Sequence, residues 1–302
     1  MSIAANIAQK SIGQVTRGKT ARNRLRRVDI FLSMYATELI RKQNPQNQPS
    51  WLVDLGYGAE PYTVLESATH LRKINPNLPI LGVEIEPERV ASGLPYQDEH
   101  TQFRLGGFNV PLQSNESIRL IRAFNVLRQY DEHQVLAAWQ SMAMHMETNG
   151  LIIEGTSDPF GKRWVANLLR VRRQANGERV LIQEGLLFST NFHDGFTPDM
   201  FQPVLPKNLI HHMLPQNEIY QFFEKWKIAT EQQSALQSYG LRQWFAASAL
   251  AQSRMGYPIL TRKKMLRQGF LFWQMQRPIC SLAQDAPALF LEKKLSSILS
   301  TI

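Results

Sequence analysis

The chain has 302 residues, 43% of them hydrophobic, which is enough for one large domain or a domain with an appendage and too apolar for disorder throughout. A single cysteine, Cys280, excludes an internal disulfide and a cysteine-only zinc site and fits a reducing compartment. Thirty-four Lys and Arg against 25 Asp and Glu give a formal charge of +9, which favours an anionic partner without choosing among nucleic acid, acyl carriers, anionic metabolites and acidic lipid surfaces.

Residues 1–7 lack the long apolar core of a secretory signal and no later run approaches a membrane span, so a cytoplasmic protein is expected. Residues 17–27 concentrate basic side chains. Beyond them Val28, Leu32, Tyr35 and Leu39 recur at helical spacing, so an amphipathic helix with a cationic first part is expected. Cations there oppose the macrodipole, and the segment is either a binding element or a solvated basic face. Residues 44–49, rich in Asn and Pro, end it as a loop.

From Trp51 onward apolar runs and helical patterns alternate, which argues for an α/β fold with a Rossmann-like, mostly parallel sheet. Strands are expected over 51–55, 80–85, 101–105, 119–124 and 150–155, with helices near 61–74, 87–92, 131–148 and 161–175. Asn149-Gly150 reads as the left-handed C-terminal cap of the helix from Asp131. Residues 179–190 read as one long strand or a hairpin about Gly185. The remainder reads as mainly helical, with Ile219, Phe222, Phe223, Trp226 and Ala229 on one face. The expected organisation is a basic N-terminal helical segment (1–49), a core (50–192) and a helical C-terminal appendage covering the acceptor site (193–302).

The most informative stretch is Trp51-Leu-Val-Asp-Leu-Gly-Tyr-Gly58 followed by Ile80-Leu-Gly-Val-Glu-Ile85. A strand stopping at a Gly-x-Gly turn and a second strand ending in an acid form a nucleoside-binding arrangement. No glycine follows Gly56 and Gly58 at the third position of a dinucleotide fingerprint, which counts against NAD or FAD, and no Gly-Lys-Ser/Thr follows the turn as a P-loop requires.

Val53-Asp-Leu-Gly-Tyr-Gly58 with Gly82-Val-Glu-Ile-Glu-Pro87 resembles the first two motifs of class I S-adenosylmethionine-dependent methyltransferases. Ile121-Arg-Ala-Phe-Asn-Val-Leu127 and Gly150-Leu-Ile-Ile-Glu154 are similar to the family's fourth and fifth strands. More narrowly, Asn23-Arg-Leu-Arg-Arg-Val-Asp29 and Leu205-Pro-Lys-Asn-Leu-Ile-His211 resemble an uncharacterised bacterial branch, which supplies no substrate. The resemblance implies S-adenosylmethionine as cofactor. Gly56, Tyr57 and Gly58 would let the backbone approach it, Asp54 would order the turn or the cofactor's amino group, and Glu84 would take the ribose hydroxyls. Ile85 would pack on adenine. Glu60 and Pro61 replace the usual third glycine of the first motif, and Gly107 stands where an acid often meets adenine, which leaves that ring to the backbone at Gly107 and Phe108.

Methyl transfer from a sulfonium needs alignment and exclusion of water, and a base only where the acceptor must lose a proton. Asn125 would touch the cofactor or acceptor, or cap its loop. Glu154 is the best general-base candidate, against an ion pair with a nearby arginine, and Thr156, Ser157 and Asp158 lie beside it. Asn125-Val-Leu127 is not the Asn/Asp-Pro-Pro-aromatic motif of many amino-methylating nucleic-acid enzymes. No metal site is expected, since His211-His212 lacks a third ligand, and Cys280 and the tryptophans read as core. The rival expectation is a catalytically silent module of the same fold, engaging nucleic acid through its basic N-terminal segment. The acceptor and the oligomeric state stay open.

Overall fold

The computed structural model describes residues 11–44 and 48–282; the expectations for residues 1–7 and for the middle of the 44–49 loop fall outside them. Eight strands form one sheet in the order β3-β2-β1-β4-β5-β6-β7-β8. Five are parallel: β1 (Ser50–Leu55), β2 (Ile80–Glu84), β3 (Thr101–Leu105), β4 (Ser117–Phe124) and β5 (Met146–Ser157). The last three continue as an antiparallel meander, β6 (Arg163–Arg173), β7 (Arg179–Thr190) and β8 (Phe270–Ser281).

Every residue of β1 and β2 is buried, as expected of parallel strands covered on both faces. On one face Leu52, Ile80, Leu120 and Ile153 meet α1 (Arg26–Tyr35), α2 (Thr37–Arg41) and α3 (Tyr62–Leu71) through Val28, Phe31, Leu32, Ile40, Val64 and Leu71. On the other, Val53, Leu81, Ile121 and Ile152 meet α5 (Val135–Ala143). Farther along that face, Val165, Phe188 and Trp273 pack on α6 (Glu218–Gln232) and α7 (Leu241–Arg254), where Phe222 stacks on Trp273 at 4.2 Å. The short α4 (Pro87–Gly93) follows β2, and α8 (Lys263–Arg267) precedes β8.

Four sequence expectations are corrected. Residues 163–173 are strand, not helix: Asp158 accepts from the backbone N–H groups of Phe160, Lys162 and Arg163 (2.8, 3.2 and 2.7 Å) and Gly161 takes φ +69°, a tight turn that folds the chain back on β5. An apolar run buried on both faces carries no period that separates strand from helix. The helix from Asp131 ends at Ala143, and Asn149 takes its left-handed φ of +70° inside an irregular start of β5 rather than at a cap. The C-terminal region is helical only as far as α8, because β8 pairs with β7, and Cys280 lies half-buried on that strand beside the α5-side core. The basic run is helical only from Arg26; the residues before it form an extended strap and turns.

One ion cluster ties four elements together. Arg122 on β4, fully buried, donates to Asp54 of β1 from Nε (3.1 Å) and Nη2 (2.7 Å), to Asp29 of α1, and to the Thr63 carbonyl (2.9 Å) and Ser67 hydroxyl (2.9 Å) of α3. Thr63 and Ser67 donate in turn to Asp54 and Asp29, at 2.6 and 2.7 Å. Burial pulls the guanidinium's pKa down, but the two carboxylates outweigh it and hold it above its ordinary value. Arg122→Met would strand two carboxylates in the core. A loss of about 3–5 kcal/mol is expected, read as a lower urea midpoint at unchanged slope.

Candidate active site

The sheet order reverses at β1, whose neighbours β2 and β4 have connections running to opposite sides, and the crevice beyond the strand ends there is where such sheets bind ligands. The turn after β1 forms because Gly56 and Gly58 adopt φ of +70° and +94°, which side-chain-bearing residues rarely take. A Cβ at Gly56 would lie 2.7 Å from Val126 Cγ2, so the turn is closely packed as well as left-handed. Pro61 and Tyr62 open α3 directly behind it.

A cavity of about 940 Å³ opens at this turn, between the start of α1, the ends of β4 and β5, and the segment around Met200 and Val204. Asn125, at φ +62°, receives Ser157 N–H on Oδ1 and donates from Nδ2 to Ser157 Oγ, both at 3.0 Å, which joins the ends of β4 and β5. Arg24 donates to Ser157 Oγ (3.2 Å) and to the Lys19 carbonyl (2.9 Å); burial lowers its pKa, offset in part by Asp158.

The side at the ends of β2 and β3 differs. Residues 11–19 lie as a strap across the ends of β1, β2 and β3. Ile12 N–H donates to Asn109 Oδ1 (2.6 Å), Phe108 N–H to the Ile12 carbonyl (2.8 Å), Gln14 N–H to the Tyr130 hydroxyl, and Ala59 N–H to the Gly18 carbonyl (2.9 Å). Arg89 holds Thr16 through its carbonyl (2.9 Å) and hydroxyl (3.2 Å). The space left beneath, bounded by Ile12, Gly13, Glu84, Ile85, Gly107 and Phe108, is about 20 Å³, room for about one water.

Asp54, Gly56, Tyr57, Gly58 and Asn125 thus line the large cavity, while Glu84, Ile85, Gly107 and Phe108 lie under the strap. Asp54's carboxylate is committed to Arg122 and Thr63, so its part is to fix the turn. Glu84 accepts from Arg89 (2.8 Å) and from Ile85 N–H (2.6 Å). Tyr57 offers the cavity its backbone, since its hydroxyl donates to the Arg89 carbonyl (2.9 Å) and its ring packs on Phe103. Glu154 does not line the cavity. It is buried on the α5 side of the sheet, where Asn167 donates to it (3.0 Å) and links it to Asn208 of the 205–211 segment (3.0 Å) and to Gln183 (2.9 Å). No arginine pairs with it among the described residues.

The sequence reading missed Arg89, Arg122, Arg128, Arg163 and the strap. Arg122 carries a legible signal, a cation inside an apolar strand that must find acids; the others carry none. No group of three or more potential metal ligands occurs among the described residues, and no helix there is long and apolar enough to cross a membrane.

No protein-family model and no curated protein matches the chain. Among solved structures it is similar to LepI in complex with S-adenosylmethionine (18% identity over 41% of this chain and 31% of that one, TM-score 0.32). It is similar also to the plantazolicin methyltransferase BpumL in complex with a substrate analogue and S-adenosylhomocysteine (12%, 45% and 48%, 0.33). A third is magnesium protoporphyrin IX methyltransferase from Synechocystis PCC 6803 with bound S-adenosylhomocysteine (15%, 44% and 54%, 0.31). The chain therefore spans under a third of the first and about half of the other two.

Burial raises the Glu154 carboxyl to about 7 from 4.5, against the smaller pull of the Asn167 amide. Between those values the folded protein holds a proton that the unfolded chain has lost. The contribution is therefore full below about 4.5 and is lost as pH rises through about 7. Glu154→Gln keeps an acceptor for Asn167 and has no charge to bury. Its stability relative to the parent is expected to rise by about 1.4 kcal/mol for each pH unit between about 5 and 7, as read in paired denaturant melts.

Proposed function

We propose that the chain is an S-adenosylmethionine-dependent methyltransferase, with the methionyl half of the cofactor in the large cavity and the nucleoside half between Glu84 and Phe108. The observation that carries this reading is the cavity's place at the sheet's switch point, opening on the left-handed Gly56–Gly58 turn with Asn125 facing it. The donor set fits: backbone lining the cavity at the glycines, a carboxylate at the end of β2 for the ribose, and a backbone N–H at Phe108 for an adenine ring nitrogen. When bound, the cofactor supplies an electrophilic methyl on a sulfonium, which leaves as a neutral thioether. Arg24, half-buried and beside Ser157, is placed to receive the methionyl carboxylate. Asn125 and Ser157 hold the two strand ends in register, so an acceptor and the methyl can be kept in line.

The strap belongs to this reading. The Ile12 carbonyl takes the Phe108 N–H that adenine would use, and a Cβ on Gly107 would lie 2.1 Å from that same oxygen. Nucleoside binding therefore requires the strap to lift. The closed strap and the engaged Glu84 are also the observations that favour the second reading, a silent binding or regulatory module of the same fold. The basic run divides: Arg17, Lys19 and Arg24 line the cavity, Arg27 is spent on Ser189 and the Gln268 carbonyl at 3.0 and 2.7 Å, and Arg22 and Arg26 are exposed.

Calorimetric titration with S-adenosylmethionine is expected to show binding, and Gly56→Val to remove most of it. Glu84→Ala should cost about 1.5–3 kcal/mol of affinity, the worth of hydrogen bonds to a charged acceptor. Binding unchanged in both variants would refute the assignment. Hydrogen exchange supplies the second test: on saturation with cofactor the amides of Ile12 and Gln14 should exchange faster as the strap opens. Cofactor binding with those two amides still protected would show that the nucleoside does not enter under the strap.

A further inference from the structure

Five cations line the large cavity, Arg17, Lys19, Arg24, Arg128 and Arg163. Among the described residues its acids are two, Asp54 and Asp158. Asp54's oxygens are taken up by Arg122 and Thr63, and Asp158 accepts three backbone N–H groups in the turn before β6. Among the described residues no histidine, glutamate or cysteine lines the cavity, and the one phenol there, Tyr57, donates to a carbonyl and is pushed by burial further from ionising. With Arg24 given to the cofactor, Arg128 and Arg163 remain on the β4 and β6 sides. Among the described residues Arg128 has no ion pair, and Arg163 only distant ones, 3.8 Å to Asp158 and 3.7 Å to Asp194. The same cavity is lined by apolar side chains, Phe160, Met200, Pro203 and Val204.

A positive field in a partly enclosed site concentrates anions and repels ammonium groups. A site without an available base cannot assist an acceptor that must shed a proton early. The two conditions are met together by an acceptor whose nucleophile is already an oxyanion. Resting on the methyltransferase reading above, we infer that the acceptor is a small carboxylic acid with an apolar body, held by Arg128 and Arg163 and methylated on its carboxylate oxygen. One carboxylate oxygen forms the new O–CH3 bond with its lone pair as the S–CH3 bond breaks. The bonding pair stays on sulfur, the sulfonium and the carboxylate lose their opposite charges, and the products are a methyl ester and a neutral thioether. No proton is transferred and no oxidant is needed. The apolar lining takes the rest of the acid and keeps water from the methyl.

The test uses the full-length protein, cofactor labelled with tritium in the methyl group, and two acceptor sources. One is a panel of straight-chain acids from butanoate to dodecanoate with benzoate and phenylacetate, each beside its amide and amine counterparts. The other is the small-molecule fraction of a cell extract. Label that mild alkali releases as volatile methanol is the expected result. Arg163→Met and Arg128→Met should each lower kcat/KM for the labelled acid at least tenfold, with the cofactor dissociation constant within twofold of the parent. A second readout needs no turnover: the best acid of the panel should bind the protein saturated with S-adenosylhomocysteine, and binding should weaken with salt and in both variants. Label stable to alkali, label in the amines, or no acid bound or labelled from either source while cofactor still binds would each overturn the inference. Loss of cofactor binding itself would instead overturn the methyltransferase reading.

Discussion

The fold around the site depends on the charge cluster of Arg122, Asp54 and Asp29. There a helix on the sheet's face, two central strands and the helix after the turn are bonded to a single side chain. A guanidinium suits the position because its planar fork reaches several acceptors at fixed angles, which an ammonium does not. Apolar packing alone would leave α1 and α3 free to slide along the sheet, whereas the bonds to Asp29, Thr63 and Ser67 set their register. Burying such a cluster is of little net benefit to stability, since desolvation offsets most of the attraction. Its benefit lies in geometry: Asp54 immediately precedes Leu55 and Gly56, so the turn is held from beneath.

The same cluster governs the carboxylate beneath the cavity. Asp54 is the acid closest to the turn, and its oxygens are taken up by Arg122 and Thr63 rather than by a cation of the cavity. The strap draws on the same economy of partners. It contributes Arg17 and Lys19 to the cavity rim while its backbone satisfies the N–H groups of Phe108 and Ala59, donors that a nucleoside site must keep open to solvent or ligand. A segment that covers one half of a site and charges the other couples the two.

Much of this was legible in the sequence, and unevenly so. The five parallel strands, the Gly56–Gly58 turn and the approach of Asn125 to it follow from apolar runs ended by glycine and asparagine, local signals that a single chain displays. The 163–173 segment misleads because a strand buried on both faces has no alternation to show, and because the hairpin signal lies upstream in Asp158 and Gly161. Glu154 illustrates a different limit. Its position at the end of β5 is readable, but which face it points to depends on strand parity, and Ile152 and Ile153 are both apolar, so the pattern does not say that its side faces α5. The cavity's charge could not be read from the net charge: Arg17, Lys19 and Arg24 come from the basic run, and Arg128 and Arg163 join them only through the turns after β4 and β5.

The antiparallel half of the sheet then acquires a role beyond closing an edge. The β5–β6 turn carries Phe160 and leads into Arg163, and Met200 to Val204 rest on the aromatic core built by Phe188, Phe201, Phe222 and Trp226. Met200 to Val204, Phe222 and Trp226 lie beyond the core expected over 50–192. This side of the cavity is built on its own hydrophobic cluster, largely separate from the one that holds the Gly56–Gly58 turn. Side chains there can change without disturbing the charge cluster under the turn, because mutations in separate packing units act nearly independently. A cavity divided in this way can change on its Met200–Val204 side while the Gly56–Gly58 turn stays fixed.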